Sequence, residues 1–321
     1  MSDRLLAGVD VGGSKISALI ADPELHVLGR VTVPTTDHGS AAVVERIAEV
    51  VEGALPRSDG AAPQLAGVGV GIPGRVETST GHVSLAVNLQ WADLGLGELL
   101  SRRLGAPVFV ENDVRAAASA VHELGLLGAH HSLAYLSVGT GIAAGVVLDG
   151  RLWRGAHGLA GEIGHLVVRP GGPVCACGQH GCLEALASAR SIARRAETDI
   201  AAGRITTLQP PIGARDVFVA AAAGDVLAST LAEEAGDLLA WAVQLLVMTY
   251  DVEVVALGGG AAQAGRDFAD PILRGIERRR SASPLAREVL HGDIVRLLPP
   301  DAEPGTWGAL LLARRGTDHP G

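Results

Sequence analysis

All three cysteines of the chain fall in one short stretch, CACGQHGC at 175–182. Thiolates are soft ligands that suit zinc, and three of them with one imidazole close a tetrahedral structural site. Cys175, Cys177 and Cys182 supply the sulfurs. His165, upstream in GEIGH, is the expected fourth ligand, and His180, between the cysteines, is its rival. Two blander readings are a buried apolar cysteine cluster and a redox pair. The spacing is CxC followed by x4-C, unlike the CxxC of redox sites, and the Gly-rich GGPVCACGQHGC can bend round an ion but could hardly form a core. An imidazole that binds metal through one nitrogen keeps the other for a substrate hydroxyl. On this reading zinc braces a loop whose ends carry Glu162, His165 and Glu184 and takes no part in the chemistry. A full Cys3His set leaves no position for a reactive water.

A second cluster stands in VFVENDVRAAA, where Glu111, Asn112 and Asp113 meet at the junction of a strand and a helix. Asp113 is placed either to cap that helix or to act as a general base, taking the proton of a weakly nucleophilic hydroxyl during phosphoryl transfer. Asn112 offers both a donor and an acceptor to a hydroxyl-rich ligand. Three glycine turns each close an apolar strand: Gly12-Gly13, Gly139-Thr140-Gly141 and Gly258-Gly259-Gly260. Such turns present bare N–H groups to phosphate oxygens. Asp10 precedes the first and could hold Mg2+ through water or bond its own turn. Lys15 could offset phosphate charge. The order Ser14-Lys15 is not that of a P-loop, and GVGIPG is followed by RVETSTGHV, which does not read as the helix a dinucleotide fingerprint needs.

The elements that must position these residues alternate. LLAGVD, ISALIA and HVLGRVTV read as strands; SAAVVERIAEVVEGAL is a helix with Ser40 as its expected N-cap. LGELLSRRLG is a helix closed by Gly105. SLAYLSVGTGIAAGVVLDG repeats the plan of the N-terminus, so two related α/β lobes are expected. A chain of 321 residues with 48% hydrophobic content supports two cores, and with 3% aromatics they must be built of Ala, Val, Leu and Ile. The formal charge of −9 and the lack of a basic stripe argue against nucleic acid as partner. The longest apolar helical run, LLAWAVQLLVMTY, is interrupted by Gln244 and falls short of a bilayer, so no membrane is expected. Without an export pattern the expected location is cytoplasmic, with no disulfides.

DVGGSK, GIPGRV, NLQW, ENDVRAAA, GTGIAAGVVLDGRLWRGAHGLAGEIGH, CACGQHGCLE and LGGG together resemble the ROK-family sugar kinases of bacterial glucokinase type, over nearly the whole chain. The resemblance implies an α/β, actin/hexokinase-like (ribonuclease H-like) fold of two lobes with an interlobe cleft. The smaller lobe would span 1–113, joined by the C-terminal helix at about 304–321, and the larger lobe, with the zinc loop, 114–303. The implied activity is ATP-dependent phosphorylation of a hexose, usually at the 6-hydroxyl, with Asp113 as base. Gly74, Arg75, Asn88, Asn112, Glu162, His165 and Glu184 would contact the sugar. Asp10, Gly12, Gly13, Ser14, Lys15, Gly139, Thr140, Gly141 and Gly259 would line the nucleotide and Mg2+ site, and His165, Cys175, Cys177 and Cys182 would hold zinc. The implied partners are a sugar and ATP, and the implied assembly is a homodimer or homotetramer.

There are departures. Ser14 stands where the family has Thr, Arg115 where it has Asn, and Trp307 where it tends to have a small residue. Ala143 and Ala144 replace two glycines, and their methyl groups are expected to crowd the phosphate turn. These changes imply a specialised member, acting on a modified or amino sugar. The family also includes repressors with an N-terminal helix-turn-helix, for which the early first strand leaves no room, and a sugar-binding protein without turnover is the remaining alternative.

Overall fold

The computed structural model describes residues 4–35, 39–56, 64–86 and 91–318. Asn88 lies outside them. Contacts divide the chain into two compact units, one of Met1–Leu124, Arg154–Leu159 and Glu303–Gly321, the other of Gly125–Trp153 and Ala160–Ala302.

In the first unit β1 (Arg4–Val11), β2 (Lys15–Ala21) and β3 (Val27–Pro34) make an antiparallel meander, followed by α1 (Ser40–Ala54) and by β4 (Gln64–Ile72), parallel to β1. A small antiparallel sheet of β5 (Arg75–Glu77), β6 (His82–Ala86) and β7 (Trp91–Leu94) and then α2 (Leu96–Leu104) lead to β8 (Val108–Asn112) and α3 (Asp113–Glu123). The main sheet runs β3-β2-β1-β4-β8. Side chains of a strand alternate between faces, and β1 shows the result. Leu5, Ala7, Val9 and Val11 enter a core with Ile47 and Val51 of α1, while Leu6 packs with Leu19, Leu310 and Ala313 on the other side.

The second unit repeats the plan. β9 (Leu133–Val138), β10 (Ile142–Leu148) and β11 (Arg151–Trp153) form the meander. Then come α4 (Leu183–Ala187), α5 (Ala189–Ala201), α6 (Ala214–Ala222), α7 (Val226–Tyr250), β12 (Val254–Gly258), α8 (Arg266–Ala282), α9 (Pro284–Val289) and β13 (Val295–Leu297). The order β11-β10-β9-β12-β13 matches that of the first sheet position by position, so the echo in the sequence is a repeated fold. α7 is apolar because it is the buried spine of this unit, packed between α6 and α8. Among the described residues no helix is long and apolar enough to cross a membrane.

The chain then returns to the first unit as α10 (Pro304–Asp318), which packs on β1, β4 and α3. That docking keeps α3 in the first unit, whose first segment runs to Leu124. Helix and sheet meet backbone to backbone. A Cβ on Gly69 would lie within 2.9 Å of Ala313 N and closer still to Ala309 O. α1 begins at Ser40, but its N-cap is Gly39, and no side chain caps it. Gly105 closes α2 in the left-handed region with φ 65°, as its position after the helix predicts.

Gly69→Ala forces a methyl into the α10 contact, and overpacking of this kind costs about 1–3 kcal/mol or more. Gly292→Ala, where a Cβ meets nothing within 4 Å, is the control. Urea unfolding should show a lowered midpoint for the first and a wild-type midpoint for the second; equal midpoints would refute the close docking.

Candidate active site

The strand–helix junction after β8 is closed by its own side chains. Asn112 Oδ1 accepts from the Arg115 backbone N–H at 3.1 Å and so caps α3. Its Nδ2 donates to the Gly74 carbonyl at 3.2 Å, which ties the loop before β5 to the junction. The capping role that the sequence allows for Asp113 therefore belongs to its neighbour, and Asp113 opens the first turn of the helix. Glu111 is buried and accepts from Asn112 N at 2.8 Å, Arg115 Nε at 3.1 Å and Arg154 Nε at 2.6 Å. Arg75 directs its Nε to the His157 carbonyl at 3.1 Å. Residues Arg154–Leu159 thus form a strap held to the first unit by Arg154 and Arg75, and no spacing or motif in the sequence signals it.

The turn between β1 and β2 is tightened by Gly12 N donating to Lys15 O at 2.8 Å and by Thr35 Oγ1 donating to Gly12 O at 2.9 Å. Lys15 and Ser14 are exposed or nearly so. Asp10 lies at the end of β1 with its carboxylate where a Cβ on Gly305, in the first turn of α10, would stand. Burial pushes its pKa up to about 6, and the attraction of Lys15 only partly opposes this.

In the second unit two of the predicted glycine turns lie side by side. Gly139 N donates to Gly141 O at 2.9 Å, and Gly259, with φ 84°, packs on the Val138 backbone at the end of β9. β9 and β12 are parallel, so these turns sit at the carboxyl ends of adjacent parallel strands, where open α/β sheets bind ligands. Ala144 is 2% exposed and enters the core. Of the two methyls expected to crowd the turn, that one points away; Ala143, on the other face of β10, is half-buried.

GEIGH lies flat on β10. Cβ atoms on Gly161 and Gly164 would collide with the carbonyls of Ala144 and Ile142, and Ala144 N donates to Gly161 O at 2.8 Å. The two glycines are therefore what lets Glu162 and His165 approach the strand. Glu184, in the first turn of α4, accepts from Ile142 N through Oε2 at 3.0 Å, directly after the Gly139–Gly141 turn. Its Oε1 lies 4.0 Å from Cys175 Sγ.

The ligand atoms of His165, Cys175, Cys177 and Cys182 all lie within 4.8 Å of one another. Cys175 Sγ is 3.6 Å from His165 Nδ1, and Cys177 Sγ is 3.7 Å from Cys182 Sγ. Zn–S bonds of about 2.3 Å in a tetrahedron imply edges of about 3.8 Å, so the donors fit such an ion. His180 is exposed and directs Nδ1 to the Gly172 carbonyl at 3.2 Å, away from this set. Burial, then the neighbouring thiols, push Cys182 up to about 12. A cation would reverse that, since metal binding needs the thiolate.

The sequence profile of the ROK family matches residues 6–315. The chain belongs to the ROK family. This ROK chain is 34% identical over 285 residues, 86% of each protein, to a glucokinase of Halalkalibacterium halodurans. It superposes with TM-score 0.80 on a ROK family glucokinase from Streptomyces griseus in complex with glucose and AMPPNP, 30% identical, covering 97% of this chain and 100% of that one. It is also 31% identical over 244 residues to a xylose repressor of Caldicellulosiruptor bescii, covering 73% of this chain and 61% of that one. The ROK members share the actin/hexokinase-like two-lobed fold, and the paired sheets described above are its two halves.

The Asp10 shift has a consequence for stability. A carboxylate whose folded pKa, about 6, exceeds its unfolded value of 3.8 binds more protons in the folded state between those values. Stability falls as pH rises through that window, and the penalty is complete above it. Asp10→Asn should therefore raise Tm at pH 7.5 and have little effect near pH 4. A Tm gain of equal size at both, measured by differential scanning calorimetry, would contradict the assignment.

Proposed function

We propose that the chain is an ATP-dependent sugar kinase that phosphorylates the 6-hydroxyl of glucose or a glucose-like, including amino, hexose, with Asp113 as general base. The observation that carries this reading is the β8–α3 junction. Asn112 does the capping, while Asp113 is held in the first helical turn between two residues locked to Glu111. The glucose and AMPPNP bound by the Streptomyces griseus relative support the same pair of substrates here.

In the proposed reaction the Asp113 carboxylate accepts the hydroxyl proton as the sugar oxygen forms its bond to the γ-phosphorus. The bond from that phosphorus to the bridging oxygen of ADP breaks, and ADP carries away the electron pair. Asn112, with Gly74, Arg75 and Asn88, and Glu162, His165 and Glu184 orient the sugar hydroxyls. Glu184 does so through Oε1, because Oε2 already accepts from Ile142 N, and His165 through Nε2, because Nδ1 faces Cys175. The backbone of Gly12, Gly13, Ser14, Gly139, Thr140, Gly141 and Gly259 cradles the nucleotide phosphates with Lys15. Asp10 would hold Mg2+, whose bound form neutralises charge on the phosphates. His165, Cys175, Cys177 and Cys182 would hold zinc, which fixes the 163–184 loop. A homodimer or homotetramer goes with this reading.

The xylose repressor relative favours one other reading, a sugar-responsive regulator that binds but does not turn over. ADP release from ATP and Mg2+ is the deciding measurement, against glucose, mannose, glucosamine, N-acetylglucosamine and N-acetylmannosamine. Turnover is expected with one or two of these. Asp113→Asn should keep sugar affinity and lose about 10²–10⁴-fold in kcat, the usual worth of a general base; near-wild-type turnover in that variant would refute the role.

For the metal, elemental analysis of the purified chain should find zinc in equal ratio to protein, and Cys177→Ser should lose zinc and sugar affinity together. A metal-free wild-type chain that binds sugar with full affinity would overturn the zinc assignment.

A further inference from the structure

Arg115 is buried in a place that leaves two of its three guanidinium nitrogens without a hydrogen-bond partner among the described residues. Its side chain is 1% exposed. Nε meets Glu111 Oε1, but Nη1 and Nη2 are enclosed with no hydrogen-bond partner among the described residues. Glu111 is already neutralised at its other oxygen by Arg154, whose side chain is 41% exposed and able to keep the rest of its guanidinium in water. Glu111 thus meets two guanidinium groups, one at each carboxylate oxygen. Buried N–H groups without acceptors cost stability, and because Arg154 also meets Glu111, an apolar residue at 115 would not leave that buried carboxylate without a counter-ion. Stability alone favours a residue such as methionine at 115.

What Arg115 does accomplish is local. Glu111 Oε1 accepts from both Asn112 N and Arg115 Nε, and Arg115 N donates to Asn112 Oδ1. These three bonds close a ring through residues 111, 112 and 115, and Asp113 lies inside the chain segment it encloses. With Arg115 in place, Glu111 keeps an internal counter-ion however Arg154 and its strap move. The orientation of the corner is then set by buried groups alone.

We propose that Arg115 is a positioning residue that fixes the β8–α3 corner, and with it the direction of the Asp113 carboxylate, at a cost in stability. The proposal rests on Asp113 acting as the base. Reacting groups tolerate little displacement: a misplacement of about 1 Å can cost about 10²-fold in rate.

The test compares the full chain with Arg115→Met and Arg115→Lys in thermal unfolding, in sugar binding by calorimetry without ATP, and in steady-state kinetics. Arg115→Met should leave Tm unchanged or raised and sugar affinity close to wild type, while kcat falls about 10- to 100-fold with little change in the sugar KM. Arg115→Lys, which restores the cation beside Glu111, should recover part of kcat. Wild-type kcat in Arg115→Met overturns the proposal. So does a kcat loss that follows a lowered Tm, which marks a merely structural role. Should the wild-type chain turn over no sugar, the kinase reading fails, and amide exchange still decides the positioning claim. Faster exchange in Arg115→Met confined to 110–116 upholds it, and unchanged exchange there overturns it.

Discussion

A carboxylate enclosed in protein must be met by cations and N–H donors or give up its charge. Glu111 is met by three donors from three places: the next residue in the strand, the first turn of the following helix, and a strap forty-three positions further along the chain. That one demand explains much of the first unit. It stiffens the end of β8, fixes the start of α3, and makes residues Arg154–Leu159 part of a unit whose main sheet is complete by residue 112.

The repeated sheet decides where chemistry can be placed. Both units set a meander beside parallel strands, and in both the polar residues cluster at the carboxyl ends of those strands. Asp10 lies at the end of β1 and the first glycine turn follows it, Asn112 ends β8 and Asp113 follows it, and the glycine turns at 139 and 259 follow β9 and β12. The central strands β1, β4, β9 and β12 are filled largely with buried aliphatic residues. What distinguishes the units is what each adds to the common sheet. The first has a small β5–β7 sheet and the C-terminal helix; the second has the cysteine loop, joined to its Gly139–Gly141 turn through the Glu184–Ile142 bond.

The alternation of strands and helices, the repeat, and the cysteine cluster are legible in the sequence because each rests on local spacing. Three soft ligands within one Gly-rich loop point to a metal on their own, whereas the choice between His165 and His180 needs the fold, since only His165 is turned toward the sulfurs. The cap of α3 lies one position from where the sequence suggests it. Asn112 and Asp113 are both able caps, and a strand that ends one residue earlier or later looks the same in sequence. The crowding expected from Ala143 and Ala144 assumes that both face the turn; strand alternation sends Ala144 into the core. Arg115 stands out as a departure, yet its burial and its link through Glu111 to Arg154 depend on a contact far apart in sequence that no periodicity encodes.

Consistency between local preference and global fold holds along most of this chain, and it breaks at a few positions. Asp10 is a carboxylate held where burial opposes its charge. Arg115 is a guanidinium with two nitrogens unsatisfied. Cys182 is a thiol that burial drives away from the form a metal needs. Each of these three lies at or beside a strand end or loop named above, while Arg46 Nε of α1 and Arg280 Nε of α8 are likewise buried without a partner among the described residues and lie elsewhere. A chain selected for stability alone would have replaced all three, since each has an apolar or neutral substitute that burial would penalise less. Two of the three would be relieved by the cations proposed at Asp10 and among the cysteines. Arg115 is different, because an added cation would worsen its surroundings. Its imbalance is internal and permanent, which is why its role is to be sought in the geometry of the corner it closes rather than in the binding of an ion.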